Sequence, residues 1–239
     1  IDYSITSKRK LLSLVEEGDV NGWDDPRLQT LKGMRRRGYP PEAIKNFCEL
    51  IGITKKQAVI DLSTLENCVR EELDKKAPRI MAVLDPLKVV IKNYPGNTSE
   101  QLNAPNHPKD STFGERKVPI TKEIYIERSD FMEEPPKKFH RLSPGKKVRL
   151  RYAFVIRCEE IVKDENGIVQ ELYCSYDSST YNGKNPEGGK VKGIIHWVSA
   201  EENTPIQARL FDRLFTVPNP NGEEDFRKFL NPKSLEIKN

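Results

Sequence analysis

From Pro40 to Gly52 the apolar residues Ile44, Phe47, Cys48 and Ile51 recur at spacings of three and four. That is the period of one face of an amphipathic helix, and Gly52 closes it. Just upstream, TLKGMRRRG at 30–38 places Leu31 and Met34 on one face, with Gly38 as a left-handed stop. Asp25-Pro26 reads as the start of this helix and Thr30 as a second possible cap. Thr54-Lys55-Lys56-Gln57 and Ser63-Thr64-Leu65-Glu66 are both capping-box sequences. The second predicts a helix carrying Leu65, Cys68, Val69 and Leu73 that ends before Ala77-Pro78. Ahead of these, IDYSI reads as a strand, SKRK at 7–10 as a polar basic loop, and Leu11 to Val15 as a short apolar run. Residues 11–78 are therefore expected to form a helical unit.

The pattern changes at Arg79. IMAVLDPLKVVIKN is rich in strand-forming residues, with Pro86 implying an edge strand or a bend. Residues 93–117 show no periodicity and are expected to be a long irregular loop, a length that is often functional. VPITKEIYIERSD is strand-like. Val148, Leu150, Tyr152, Phe154, Ile156 and Cys158 alternate strictly, and Glu165-Asn166-Gly167 supplies a tight turn, which predicts a hairpin over 147–176. KVKGIIHWVSA and PIQARLFDRLFTVP add two strand candidates. Short strands joined by Pro- and Gly-rich loops point to barrels rather than to a parallel sheet, so the expected class is α+β.

Composition narrows the function. The 239 residues are 36% hydrophobic, with a mean hydropathy of −0.68. No run approaches the roughly 18 apolar residues of a membrane helix, and the N-terminus lacks a secretory signal's apolar core. The chain opens on Ile1 rather than Met, which fits a piece of a longer protein. The four cysteines form no CxxC pair and, with three histidines at 107, 140 and 196, no metal-ligand spacing, so they read as reduced cytosolic thiols. A net charge of +4 is only mildly basic, but the charge is clustered. Lys137 to Arg151 holds seven Lys or Arg and no Asp or Glu.

That cluster is the main candidate for binding. On an extended strand Arg149 and Arg151 would project opposite Val148, Leu150 and Tyr152, forming a basic stripe with Lys147. Phe139 and His140 beside Arg141 offer planes for unstacked bases. A solvated strand face is the alternative. SKRK can hold phosphate oxygens or be an exposed basic turn. Arg35, Arg36 and Arg37 complement the negative end of a helix dipole, whether or not they also meet phosphate. GxSxG, HExxH and a glycine-rich dinucleotide loop are all missing, so no reaction centre is expected in this chain.

Six ordered motifs carry a resemblance. SKRK at 7–10, GWDDPR at 22–27, TLKGMRRRGY at 30–39, APRIMAV at 77–83, VKGIIHWVSA at 191–200 and RLFDRLFTVPNP at 209–220 together resemble the glutaminyl-tRNA synthetases, class I aminoacyl-tRNA synthetases. The resemblance implies a catalytic Rossmann domain with a HIGH-type signature ahead of residue 1, and several more strands after Asn239. It implies the end of that domain at 1–10, a helical tRNA-contacting subdomain at 11–78 and two antiparallel anticodon-binding barrels. The distal barrel would span 92–190, and the proximal one, incomplete, 79–91 plus 191–239.

By the same resemblance Ser7, Lys8 and Arg9 match the KMSKS-type ATP-binding loop, with Lys8 as the catalytic candidate. Thr6 stands where the family usually has Met, and Ile5 where the broader motif has Lys. Lys55, Lys56, Gln57 and Leu62 match a tRNA-contacting segment. For the anticodon, Arg79, Pro108 and Lys138 match the middle-base site, His140 and Arg141 the third base, and Arg151 the first. Lys138 replaces a family glutamine and His140 a lysine. The implied complete enzyme is a cytoplasmic, monomeric ligase that attaches glutamine to its tRNA with ATP and magnesium as substrate. No cofactor is expected to be held tightly by this chain, and the catalytic domain is its partner in cis. A related glutamyl-tRNA synthetase and a free-standing RNA-binding protein are the alternatives; RRRGY at 35–39 favours glutamine over the former.

Overall fold

Helices dominate the first third of the chain in the computed structural model, which describes residues 1–239 except Thr54, Lys56, Gln57, Asn97, Gly188 and the side chain of Asn182. The described residues divide into two units, residues 1–77 with 206–239, and residues 78–205.

In the first unit, α1 spans Lys8–Glu16. The expected strand over the first residues is absent, and SKRK opens a helix instead of forming a loop. Leu11 and Leu14, three residues apart, both bury in a core with Ile5, Val20 and Leu28, and only a helix puts them on one side. α2 spans Leu31–Arg37, capped by Thr30, whose hydroxyl accepts from Gly33 N at 2.9 Å, and stopped by Gly38 at φ 92°. Asp25-Pro26 does not start this helix. The Asp25 carboxylate takes the amides of Asn21 and Arg27, each at 2.9 Å, and holds a turn. α3 covers Pro41–Ile51 and α4 Leu62–Lys76. Asp61 rather than Ser63 caps α4, accepting from Ser63 N at 2.8 Å, so the second capping box is not used. Thr54 and Gln57 of the first box lie outside the described residues. α2, α3 and α4 close over Met34, Ala43, Phe47, Leu62, Leu65, Cys68 and Val69.

The second unit is built on strands β1 (Pro86–Ile91), β2 (Glu100–Pro105), β3 (Glu115–Ile120), β4 (Glu123–Glu127), β5 (Lys147–Leu150), β6 (Val155–Lys163), β7 (Val169–Asp177), β8 (Ile194–Ile195) and β9 (Trp197–Ser199). Seven of them form one sheet in the order β8-β5-β6-β7-β1-β4-β9. β8 and β9 lie on opposite edges, yet only His196 separates them in the chain. The sheet must therefore curl until its edges nearly meet, a barrel around Leu87, Ile91, Ile124, Ile126, Leu150, Leu172 and Trp197.

Several expectations need correction here. The sheet is not wholly antiparallel: β1 runs parallel to β7 and β5 parallel to β8. β1, β8 and β9, assigned by resemblance to a proximal barrel, bond into the same sheet as β5, β6 and β7. Residues 93–117 contain β2 and the first half of β3, which pair as an antiparallel hairpin. The alternating run from Val148 to Cys158 is not one strand. It turns at Arg151 and Tyr152, where Tyr152 takes φ 65°, and β5 folds back on β6. Pro86 stands at the first residue of β1, where its missing N–H does least harm to the ladder.

Residues 206–239 return to the first unit. β10 (Ala208–Phe211) and β11 (Leu235–Lys238) pair antiparallel, and Leu214 and Phe215 complete the core around Leu11 and Leu14. Among the described residues no helix is long and apolar enough to cross a membrane.

Candidate nucleic-acid interface

In the first unit Lys8 and Arg9 occupy the opening turn of α1, both exposed. The Ser7 side chain makes no capping bond there, and neither basic residue has a hydrogen-bond or ion-pair partner among the described residues. Free first-turn amides and the positive end of the helix dipole add to the two cations. Lys10 is committed elsewhere, donating to the Asn221 carbonyl at 3.0 Å and lying 5.1 Å from the Phe226 ring centre. Arg36 pairs with Asp24 at 3.2 Å, and Arg37 packs over Tyr39 and Phe211. Two of the three arginines thus serve the fold.

Lys55 is exposed, while Lys56 and Gln57 lie outside the described residues. Leu62 corrects the sequence reading. Its side chain is buried in the core of α2, α3 and α4, and its amide donates to Asp2 Oδ1 at 2.8 Å, so neither is offered to a partner.

In the second unit the basic run builds one wall of a groove of about 910 Å³. Leu142 anchors that wall. It is fully buried, its amide donates to the Asp130 carbonyl at 3.0 Å, and its carbonyl accepts from Met132 N at 3.2 Å. Around this anchor the exposed Lys137, His140, Arg141, Lys146 and Lys147 and the half-buried Phe139 line the groove. Lys190 and Lys192 line the opposite side, and Glu187 is the one acidic lining residue. Six cations against one carboxylate make the field strongly positive, and Phe139 and His140 supply planes. Lys190 and Lys192 were missed by sequence reasoning, although the KVKG spacing ahead of β8 marks them.

The Arg141 guanidinium donates from Nη1 to the Ser129 carbonyl at 3.1 Å and pairs with Asp130 Oδ1 at 3.0 Å. Burial pushes the Asp130 carboxyl above its ordinary value, against the opposing pull of Arg141 and then His196. Lys138 is exposed but does not line the groove.

The Arg79 amide donates to the Asn106 carbonyl at 2.7 Å, two residues before Pro108. His107 props this loop from inside. It is 5% exposed, its Nδ1 accepts the amides of Lys109 and Asp110, and its ring lies 4.9 Å from that of Phe113. Pro108 is left exposed at the tip.

The basic stripe on β5 is not there. Arg149 is buried, donating to the carbonyls of Thr180 at 2.9 Å and Lys184 at 2.5 Å. The turn at Tyr152 is the reason: it ends the strand early and leaves Arg149 under the 178–184 segment. Arg151 is exposed in that turn, its amide and carbonyl held by Ile195 O and Trp197 Nε1 at 2.9 and 3.0 Å. Its side chain lies over the Tyr152 ring, 5.9 Å from the centre.

A cation-lined groove with planar side chains, carried on a curled sheet, has the chemistry of a surface for single-stranded nucleic acid. Comparison with known families agrees. Residues 77–177 and 194–239 match two descriptions of "tRNA synthetases class I (E and Q), anti-codon binding domain", and residues 1–75 match the "catalytic domain" of the same class. Among curated relatives, the glutamine–tRNA ligase of Tolumonas auensis is 53% identical over 237 residues, covering 99% of this chain and 43% of its own length. That of Vibrio vulnificus is 51% identical over 239 residues, covering the whole chain and 43% of its own length. That of Pseudomonas putida is 55% identical over 240 residues, covering 99% of the chain and 42% of its own length.

The chain belongs to the class I tRNA synthetases of the E and Q type and carries their anticodon-binding domains. It spans about 43% of the length of the curated relatives it matches.

Proposed function

We propose that this chain is the tRNA-reading portion of an enzyme that joins glutamine to its tRNA with ATP. The observation that supports this most directly is the positive groove around Arg141, whose basic wall, with Phe139 and His140, falls within residues 77–177. In this reading the anticodon is splayed over the second unit. Arg141 and His140 meet the third base, Arg151 the first, and Arg79, Pro108 and Lys138 the middle one. An arginine donating two parallel hydrogen bonds to one base edge separates bases by roughly 1–3 kcal/mol. Three such positions select one anticodon family.

The seven-stranded barrel is the complete reading module, and the ladder of β10 and β11 opens a second barrel. Lys8, with Ser7 and Arg9, meets the phosphates of ATP, which enters with magnesium as a substrate. An exposed lysine at a helix N-terminus suits that role, because its charge and the amide dipoles face the same anion. Lys55 touches the tRNA outside the anticodon. The complete enzyme is read as cytoplasmic and monomeric, with the catalytic domain in cis and no membrane partner. The names of the relatives and Arg35-Arg36-Arg37 favour glutamine over glutamate.

The deciding measurement is binding of the chain to a glutamine tRNA transcript and to its anticodon variants at two salt concentrations. Anticodon variants are expected to bind at least tenfold more weakly at both salts, to an order of magnitude. Equal affinities with a shared salt slope would make the groove a non-specific phosphate site and overturn the reading.

A further inference from the structure

Arg141 enters the groove from an exposed segment, yet its guanidinium is tethered on one side. Nη1 donates to the Ser129 carbonyl at 3.1 Å and pairs with Asp130 Oδ1 at 3.0 Å, while the side chain as a whole stays half exposed. Nη2 and Nε have no partner among the described residues. Asp130 is the opposite case. Its side chain is 8% exposed, and its Oδ2 is buried with no hydrogen-bond partner among the described residues.

Burying a carboxylate with one oxygen unused is costly. A role in the fold alone does not account for it, because among the described residues Arg141 is the only group this carboxylate binds. The local backbone is closed without it, through Leu142 N to Asp130 O at 3.0 Å and Phe131 N to Arg128 O at 3.1 Å. Asp130 also sits two residues from Arg128, whose guanidinium is held apart by the carbonyls of Val169 and Pro86. Asp130 thus has Arg141 as its single partner among the described residues, while Arg141 Nη1 is held by the Ser129 carbonyl as well.

We propose that Asp130 is a positioning residue for base reading: it clamps Nη1 of Arg141 so that Nη2 and Nε form a fixed pair of donors for the third anticodon base. This rests on the reading of Arg141 as the third-base contact. In a glutamine anticodon that base is guanine, whose O6 and N7 accept from such a fork. The carboxylate does a second thing. It neutralises a cation that would otherwise swing to the nearest phosphate, turning a general attractor into a reader of one base.

The test uses the whole chain, a transcript with anticodon CUG, and transcripts altered at the third or the first anticodon base, each at two salt concentrations. Asp130→Asn is expected to lower third-base discrimination about tenfold, with first-base discrimination unchanged. Binding to the third-base variant should hold or strengthen and its salt slope steepen, because a released arginine meets phosphate. Asp130→Glu, which restores the charge, should recover part of the discrimination. In an Arg141→Ala background Asp130→Asn should cost nothing further at the third base.

Equal loss at both bases, loss added on top of Arg141→Ala, or a variant that fails to fold would each overturn the proposal and leave Asp130 a structural residue. If Arg141→Ala itself leaves third-base discrimination intact, the assignment of Arg141 fails instead.

Discussion

Arg149 and Arg151 stand two residues apart in the sequence and do opposite work. Arg149 is 8% exposed and satisfies two carbonyls; Arg151 is exposed, with no ion-pair partner among the described residues. Truncating Arg149 strands the buried Thr180 carbonyl, at roughly 1–3 kcal/mol, and removes a part-buried bond to the Lys184 carbonyl. Arg149→Ala should therefore lower Tm by several degrees in a thermal melt. Arg151→Ala should leave Tm within a degree or so, as surface changes do, yet weaken binding of glutamine tRNA about tenfold more than binding of a first-base variant. A uniform loss with only a shallower salt slope would make Arg151 a phosphate contact. A second buried pair, Asp25 and Arg27 at 2.8 Å, belongs to the fold. Burial raises the Asp25 carboxyl, but hydrogen bonds from the Arg27 side chain and from the amides of Asn21 and Arg27 outweigh it and leave the net value below 3.8. A depressed carboxyl stabilises above its unfolded value and loses that contribution as pH falls through the folded one. Denaturant melts should hold a plateau above about pH 5 and decline below about pH 4. In Asp25→Ala, expected to cost about 3–5 kcal/mol at neutral pH, the acid decline should be shallower.

Elements differ in how openly the sequence declares them, and the reason is local in each case. α3 was legible because its apolar period, leading prolines and terminal Gly52 all agree. The start of α2 was ambiguous because Asp25 and Thr30 are both good caps; Asp25 was taken by Arg27, which no local rule foresees. β2 and the first half of β3 were missed because each strand buries only one or two residues, Leu102 and Ala104 on one and Ile120 on the other. The turn at Tyr152 was hidden because Arg-Tyr-Ala holds no glycine, proline or asparagine, so the alternation runs through it unbroken. Of the candidate site, the basic run and Arg141 were legible from charge alone, whereas Asp130 and the far wall at Lys190 and Lys192 depend on contacts distant in sequence. Gly193 shows how closely that far wall meets the basic run. A Cβ there would collide with the His140 carbonyl oxygen and lie 2.8 Å from its carbon. Gly193→Ala should force the segment bearing His140 and Arg141 outward at about 1–3 kcal/mol. Third-base discrimination is expected to fall with it, and middle-base discrimination to fall less, because of the three residues proposed for that base only Lys138 lies on the displaced segment. Tm and the two discrimination ratios measure this directly; a drop in Tm with both ratios intact would separate Gly193 from the site.

At the scale of the molecule, the two units depend on the chain ends differently. The barrel unit is continuous, residues 78–205, and its core draws on nothing outside that range. The helical unit is not: residues 206–239 cross back to supply Leu214 and Phe215 to the core around Leu11 and Leu14. Arg27 also reaches Ser234 at 3.1 Å, and Arg227 pairs with Glu17 and donates to the Ser13 carbonyl. Burying Leu or Phe is worth about 1.5–3 kcal/mol each. Removing both thus takes away roughly 3–6 kcal/mol of a total stability of about 5–15 kcal/mol for a domain. The loss is not spread evenly, because α2, α3 and α4 close over a separate core that contains no residue beyond Val69. A chain ending at Pro205 should therefore lose amide protection in α1 while α3 and α4 keep most of theirs, in native-state hydrogen exchange. Strands β5, β6 and β7 should exchange as in the whole chain, and third-base discrimination should survive, since Arg141, Asp130 and the groove lie within residues 78–205. The two readouts separate the parts of the argument. Loss of protection in the barrel would show that its core needs the C-terminal segment. Unchanged protection in α1 would show that Leu214 and Phe215 cover the helix without stabilising it.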